Sequence, residues 1–318
     1  MKNIGFVGFG LIGRKRKEAC DKLGHNTSFI ADPKIEKEDD CIFKSVNELP
    51  IETLNNTDHI IIALPHNLIK DTFKYLSNYC SSFLIEKPLG LNIAEGNEIN
   101  KIANEKNIEV ATGFNYRFLH NIKKLKELID QNYFGEIYSI DMTMAHGGRP
   151  GMEKEWKLNK RSAGGGVVID PGIHLFDLMN YLIPLDTNIE YCDLSNLFWE
   201  SDVEDSFYGI FNKQKIKVRI SVDILSWQNL FNIKIVAKSG YAFLSGRGGN
   251  YGDLKIDYCK RWFWENNSKI ESKNYGNIDE SFFDETKCYL ENYDDNNLSK
   301  IEDSLKSLSI VSDIYSKY

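Results

Sequence analysis

Over the first 113 residues, short apolar runs alternate with helical patterns. The runs are IGFV from Ile4, SFIA from Ser28, HIIIAL from His59, FLIE from Phe83 and EVATG from Glu109. Between the first two, Ile12, Ala19 and Leu23 recur near helical spacing, and the LGHN that follows carries a glycine stop. NIAEGNEINKIANEKN predicts a further helix with Asn92 as its cap. Strand and helix in strict alternation predict a parallel sheet covered by helices on both faces.

The pattern changes after Arg117. FLHNIKKLKELIDQNYFG predicts a helix ending near Gly135, and EIYSIDMTMA predicts a strand. A glycine-rich stretch and a helix follow in GGGVVIDPGIHLFDLMNYLI. Longer alternating runs then come without helices between them, among them KIKVRISVDIL and NIKIVAKSGYAFLSG. They predict an antiparallel sheet with one covered and one open face, the open face being suited to pairing with another copy. From Asp279 onward two helical patterns close the chain, and the amphipathic tail predicts a helix packed on its domain.

Length and charge narrow this picture. At 318 residues the chain exceeds the size at which one core stops growing, so two domains are expected, divided at residues 1–117 and 118–318. A net charge of −7 and the lack of any long Lys/Arg-rich stretch argue against a general grip on nucleic acid or an anionic membrane. The opening MKNIGFVGFG is too short and glycine-rich for a signal peptide, and no apolar run approaches a membrane span, so a cytoplasmic location is expected. The six cysteines are scattered singly, which suits reduced thiols, and no metal site is expected.

Candidate chemistry starts at the first strand. GFVGFGLIGRKRKEAC carries G-x-G-x-x-G at Gly8, Gly10 and Gly13, directly after that strand and opening a helix. The first glycine permits a tight turn, the second lets a pyrophosphate approach the backbone, and the third allows close helix-to-strand packing. Helix-opening amides then face the phosphates, so Gly8, Gly10, Leu11, Ile12 and Gly13 are the expected cofactor contacts. Asp32 ends the second strand roughly 20 residues on, where an acid bonds the adenine ribose hydroxyls. NAD is therefore the expected cofactor, and Lys34, two residues further, leaves NADP open. In RKRK, Lys15 and Lys17 fit a solvated face, while Arg14 adjoins the phosphate loop.

Two further segments draw notice. FLIEKPLG runs from a buried strand into Glu86 and Lys87, and Pro88 holds the backbone that carries the lysine extended. GGGVVIDPGIHLFDL places Asp170 and His174 four residues apart, on one face if both are helical, with Asp177 three further on to orient the imidazole. A carboxylate and an imidazole side by side suit proton transfer. Arg149, among glycines in AHGGRPGMEKEWK, suits a phosphate or carboxylate and so points to a nucleotide sugar or sugar acid, against the plainer reading of a solvated turn.

The glycine loop, the EKP of residues 86–88 and the GG…DPGIH…D of the second half together resemble the Gfo/Idh/MocA family of nicotinamide-dependent oxidoreductases. GFNYRF from Gly113 and LIDQNYFGEIYSI from Leu128 are similar to its connecting region. The resemblance implies an α/β fold: a Rossmann dinucleotide-binding domain, then an α/β domain with a large, mostly antiparallel open sheet, often paired in oligomers. It implies catalytic roles for Lys87, Asp170 and His174, cofactor contacts at Glu86 and Lys87, a substrate contact at Asn115, and in many members a cis bond before the EKP proline. Two departures stand out: ALPHNLIKD has Leu64, Pro65 and His66 where the family commonly shows Thr-Pro-Asn, and Leu119 and His120 follow RF where a proline is usual.

The reading is hydride transfer between a secondary alcohol of a sugar-like substrate and NAD(P). His174 or Lys87 is the base, and Asp170 sets the substrate's angle. An NAD-dependent glycosidase on the same scaffold, a non-catalytic dinucleotide-binding regulator, and a reductase for another carbonyl or imine remain the alternatives.

Overall fold

In the computed structural model, which describes residues 1–36, 39–262 and 269–317, the chain packs into two units. The first comprises residues 1–115, 161–164 and 282–309. Its six strands are β1 (Asn3–Val7), β2 (Asn26–Ala31), β3 (Ile42–Phe43), β4 (His59–Ile62), β5 (Ser82–Glu86) and β6 (Glu109–Gly113). They form one parallel sheet in the order β3-β2-β1-β4-β5-β6. Ile60, Ile61, Ile62, Phe83, Leu84 and Ile85 are buried almost completely, as strands covered on both faces must be.

Helices α1 (Leu11–Lys22), α2 (Ile51–Asn55), α3 (His66–Leu76) and α4 (Ile93–Lys106) connect these strands. The Asn92 side chain accepts the Glu95 amide at 3.1 Å and opens α4, which closes on Asn107 at φ 54°. Phe73 of α3 meets Phe83 of β5 edge to face at 5.0 Å.

The second unit comprises residues 116–160, 165–281 and 310–318. Helices α5 (His120–Asp130) and α7 (Ile173–Leu182), with α6 (Lys160–Ala163) between them counted almost wholly in the first unit, accompany a sheet built from β7 (Ile137–Ala145), β8 (Asn188–Ser195), β9 (Ser206–Lys213), β10 (Ile216–Asp223), β11 (Leu230–Ala237), β12 (Gly240–Ser245), β13 (Lys255–Lys260) and β14 (Glu271–Asn274). The order is β14-β13-β12-β11-β7-β10-β9-β8, antiparallel except where β7 lies parallel to β10. On β10, Val218, Ile220 and Val222 point into the core, while Arg219 points out and pairs with Asp141 of β7. Tyr208 and Phe243 share that open face, both more than a third exposed. Helices α8 (Ser281–Glu291) and α9 (Ile301–Tyr315) end the chain.

The packing differs from a single cut near residue 117. Residues 282–309 return to the first unit, because α8 supplies Glu285 and Thr286 to the fully buried Arg16 of α1. Among the described residues, no helix is long and apolar enough to cross a membrane.

Candidate active site

The loop after β1 is shaped by its glycines. Gly8 sits at φ +84°, and a Cβ there would lie 2.2 Å from the Ala63 carbonyl oxygen. A Cβ on Gly13 would lie 2.1 Å from the Gly8 carbonyl oxygen. A Cβ on Gly10 would meet nothing within 4 Å, so the protein's own packing gives no reason for glycine at this position. Gly10 is the N-cap of α1 and provides no side-chain cap, which leaves the amides of the first turn, at Leu11 and Ile12, to an external acceptor. Asp32 stands just past β2, where its carboxylate accepts the Phe9 amide of the glycine loop at 2.7 Å and the Lys34 amide at 2.8 Å. An open position over capless amides, beside a fixed acid, fits a dinucleotide: phosphates at Gly10–Ile12 and a ribose at Asp32.

The strand leading to Lys87 ends in a buried ion pair. Glu86 accepts from Arg16 Nε at 2.8 Å, and Arg16 also pairs with Glu285 at 2.5 Å. Burial opposes the charge of Arg16, yet the two carboxylates hold its pKa above the ordinary value. Lys87 follows on a cis bond to Pro88 and is half-buried. Asn115 is buried at the end of this unit. In the ALPHNLIKD loop, His66 opens α3 and its Nδ1 lies 2.7 Å from the Ala163 carbonyl, while Lys70 faces Glu95 and Glu98.

In the second unit, Asp170 is not helical. It lies in a turn held by its own amide on Gly166 O at 2.9 Å and by the Gly172 amide on Val167 O at 2.7 Å, and α7 begins only at Ile173. Pro171 disfavours helical geometry at the residue before it, so shared helical phase does not place Asp170 beside His174. The turn itself is pinned by Glu204, whose Oε1 accepts the amides of Gly166 and Val168 at 3.0 Å and the Tyr315 hydroxyl at 2.7 Å.

His174 is buried in the first turn of α7, and its ring stacks on Tyr116 with centroids 3.9 Å apart and planes 9° from parallel. Burial pushes the Tyr116 phenol up to about 12, so it stays protonated. Asp170 pairs with Lys157 at 2.7 Å; that carboxylate, against the cost of burial, raises the lysine's pKa. Burial, with help from Arg247, lowers the pKa of His146, while Asp170 and Asp223 oppose this. Asp177 is taken up in a bidentate pair by Arg117, at 2.8 and 2.5 Å. Arg149 is largely exposed and bound to Glu155 at 2.6 Å. The second unit therefore brings Arg247, Tyr116 and His174 into one stacked group, with the charge of Asp170 acting on Tyr116, whereas Arg149 stands in a solvated turn.

Residues 2–114 match the model for an oxidoreductase family with an NAD-binding Rossmann fold, and residues 122–242 match the GFO/IDH/MocA C-terminal domain. The chain belongs to the Gfo/Idh/MocA family. Relatives of this Gfo/Idh/MocA protein include glucose-6-phosphate 3-dehydrogenase of Bacillus subtilis, 25% identical over 70% of this chain and 67% of the relative. Another is myo-inositol 2-dehydrogenase of Thermotoga maritima, 24% identical over 61% of this chain and 58% of the relative. The fold matches that of levoglucosan dehydrogenase in complex with NADH and levoglucosan, with a TM-score of 0.83 and 16% identity over 99% of this chain and 96% of that one.

Several residues of this cluster carry no role in the sequence. Tyr116 and Lys157 lie in stretches noted for other reasons, and Arg247 has no motif around it. Arg16 did leave a signal, because it falls on the stripe Gly13, Arg16, Ala19, Cys20 that α1 buries.

Proposed function

We propose that the protein is an NAD(P)-dependent dehydrogenase that interconverts a secondary hydroxyl and the corresponding ketone on a sugar-like substrate. The observation that carries this reading is the buried His174 stacked under Tyr116, in the unit where Lys157 fixes the Asp170 carboxylate. The Gfo/Idh/MocA membership supports it, as do relatives named as dehydrogenases of a sugar phosphate and of an inositol.

The bound nicotinamide supplies the hydride acceptor. His174 takes the hydroxyl proton as the C–H bond gives up its hydride and the carbonyl forms, and Lys87 donates a hydrogen bond to the same oxygen. Lys87 and His174 exchange these roles if the lysine is the group that loses its proton. Asp170, held by Lys157, accepts from a neighbouring hydroxyl and sets the ring's angle. Asp32 favours NAD by bonding both ribose hydroxyls, and the open face with Tyr208 and Phe243 suits a second copy of the chain.

The test is NADH and NADPH formation by purified protein on a panel of free sugars, inositols, sugar acids and sugar phosphates. Turnover with one class, faster with NAD, is the expected result. Tight dinucleotide binding without turnover on any class would overturn the reading.

A further inference from the structure

Arg247 lies just past β12, and among the described residues it makes no ion pair. Its guanidinium carbon sits 3.7 Å from the centre of the Tyr251 ring and 5.2 Å from that of Tyr116, so aromatic rings take its flat faces. Its Nε is buried and has no hydrogen-bond partner. Burying a donor unmatched is unfavourable, and burying a cation without a counter-ion more so.

The loop that carries it is held rigidly. Asn121 Nδ2 donates to the Gly246 carbonyl at 2.8 Å, the Gly246 amide donates to Phe231 O at 2.9 Å, and the Gly248 amide donates to Gly252 O at 2.9 Å. Gly246 and Gly248, at φ +73° and +85°, bend the backbone on either side of the arginine. The side chain is therefore presented from a fixed point and does not drift on a mobile turn.

The carboxylates nearest to it have other partners. Asp170 is matched by Lys157. Asp279 acts on Arg247 through space, but its Oδ1 is occupied by the Ser281 amide and hydroxyl. Because the Arg247–Tyr116 and Tyr116–His174 distances share one ring, their sum, about 9.1 Å, is an upper limit on the separation of the guanidinium carbon from the His174 ring centre. That is within the reach of one hexose-sized molecule bearing an anionic group.

We infer that Arg247 is the specificity-determining residue for an oxyanion on the substrate, a phosphate monoester or a carboxylate, held by the guanidinium edge while the carbon to be oxidised lies at His174. Arginine suits this task because its planar fork meets two oxygens at once. Arg149, the sequence's candidate for it, is already tied to Glu155 with its side chain 66% exposed. The inference rests on the dehydrogenase reading only for the reaction that follows binding.

The test pairs glucose 6-phosphate and glucuronate with neutral glucose as probes, for wild type, Arg247→Gln and Arg247→Lys, by calorimetric binding and by steady-state rates. Wild type is expected to bind at least one anionic probe about 100-fold more tightly than glucose. Arg247→Gln should lose that preference while its affinity for glucose stays within about threefold, and Arg247→Lys should keep part of it, since it retains charge without the fork. If wild type binds glucose as well as both anionic probes, or if Arg247→Gln weakens all three equally, the inference is overturned. Preferential anion binding that depends on Arg247 but leads to no turnover would keep this site and remove the dehydrogenase reading instead.

Discussion

The glycine loop after β1 and the His174 cluster are built in opposite ways. The loop is made of backbone. Gly8, Gly10 and Gly13 span six residues of chain, and what they offer is amides and open space. The His174 cluster is made of side chains drawn from Tyr116, Lys157, Asp170, His174 and Arg247, which are spread over more than a hundred residues of sequence. A site of backbone is fixed by local conformation and here tolerates no Cβ at Gly8 or Gly13, whereas a site of side chains is fixed by tertiary packing and its members are exchangeable one at a time. That difference decides how each should respond to mutation.

Gly8→Val should have the largest effect. A Cβ at φ +84°, 2.2 Å from Ala63 O, displaces the loop, and dinucleotide binding measured by fluorescence titration should vanish. A variant that still bound NADH normally would break the claim that the loop is conformationally determined. His174→Ala comes next. It should lower kcat by about 10²- to 10⁴-fold while dinucleotide affinity stays within a few-fold, which separates the two regions kinetically.

Arg16→Met probes the scaffold beneath the loop. It leaves Glu86 and Glu285 buried without their cation and should cost about 3–5 kcal/mol, read from urea unfolding. A loss below about 1 kcal/mol would mean the two acids find other partners.

The smallest effect concerns pH. Burial, with a contribution from Lys2, lowers the His59 pKa to about 4, and its Nδ1 lies 2.9 Å from Ser82 Oγ. The unfolded state then binds the proton more readily, so the stability tied to neutral His59 is complete above its unfolded value near 6.5 and is lost as pH falls toward 4. His59→Gln should flatten the stability profile in that window. An unchanged profile would assign the acid loss to His25 or His146, whose pKa values are lowered as well.

The same contrast explains what the sequence disclosed. The apolar runs from Ile4, His59 and Phe83 became β1, β4 and β5, because strands buried on both faces need continuous apolar residues. The loop and Asp32 were readable because their spacing is their geometry. The sequence marks Asp170 and His174 but not their relation: a spacing of four suggests one helical face, whereas Asp170 lies in a turn before Pro171, outside α7. Within the run of four cations only its phase on the stripe of Gly13, Ala19 and Cys20 sets Arg16 apart, and Lys17 of the same run lies partly exposed beside Asp21. Arg247 had no local signature at all, since it takes its meaning from Tyr116, 131 positions earlier. The return of residues 282–309 to the first unit was equally invisible, because Glu285 signals nothing until Arg16 is known to be buried.

The most direct measurement is the rate of NADH formation by wild type and His174→Ala on the best substrate of the panel, taken together with each protein's NADH affinity. A rate lower by about 10²- to 10⁴-fold with affinity unchanged is the predicted result. A His174→Ala enzyme that kept near wild-type turnover would contradict the assignment of proton transfer to this cluster.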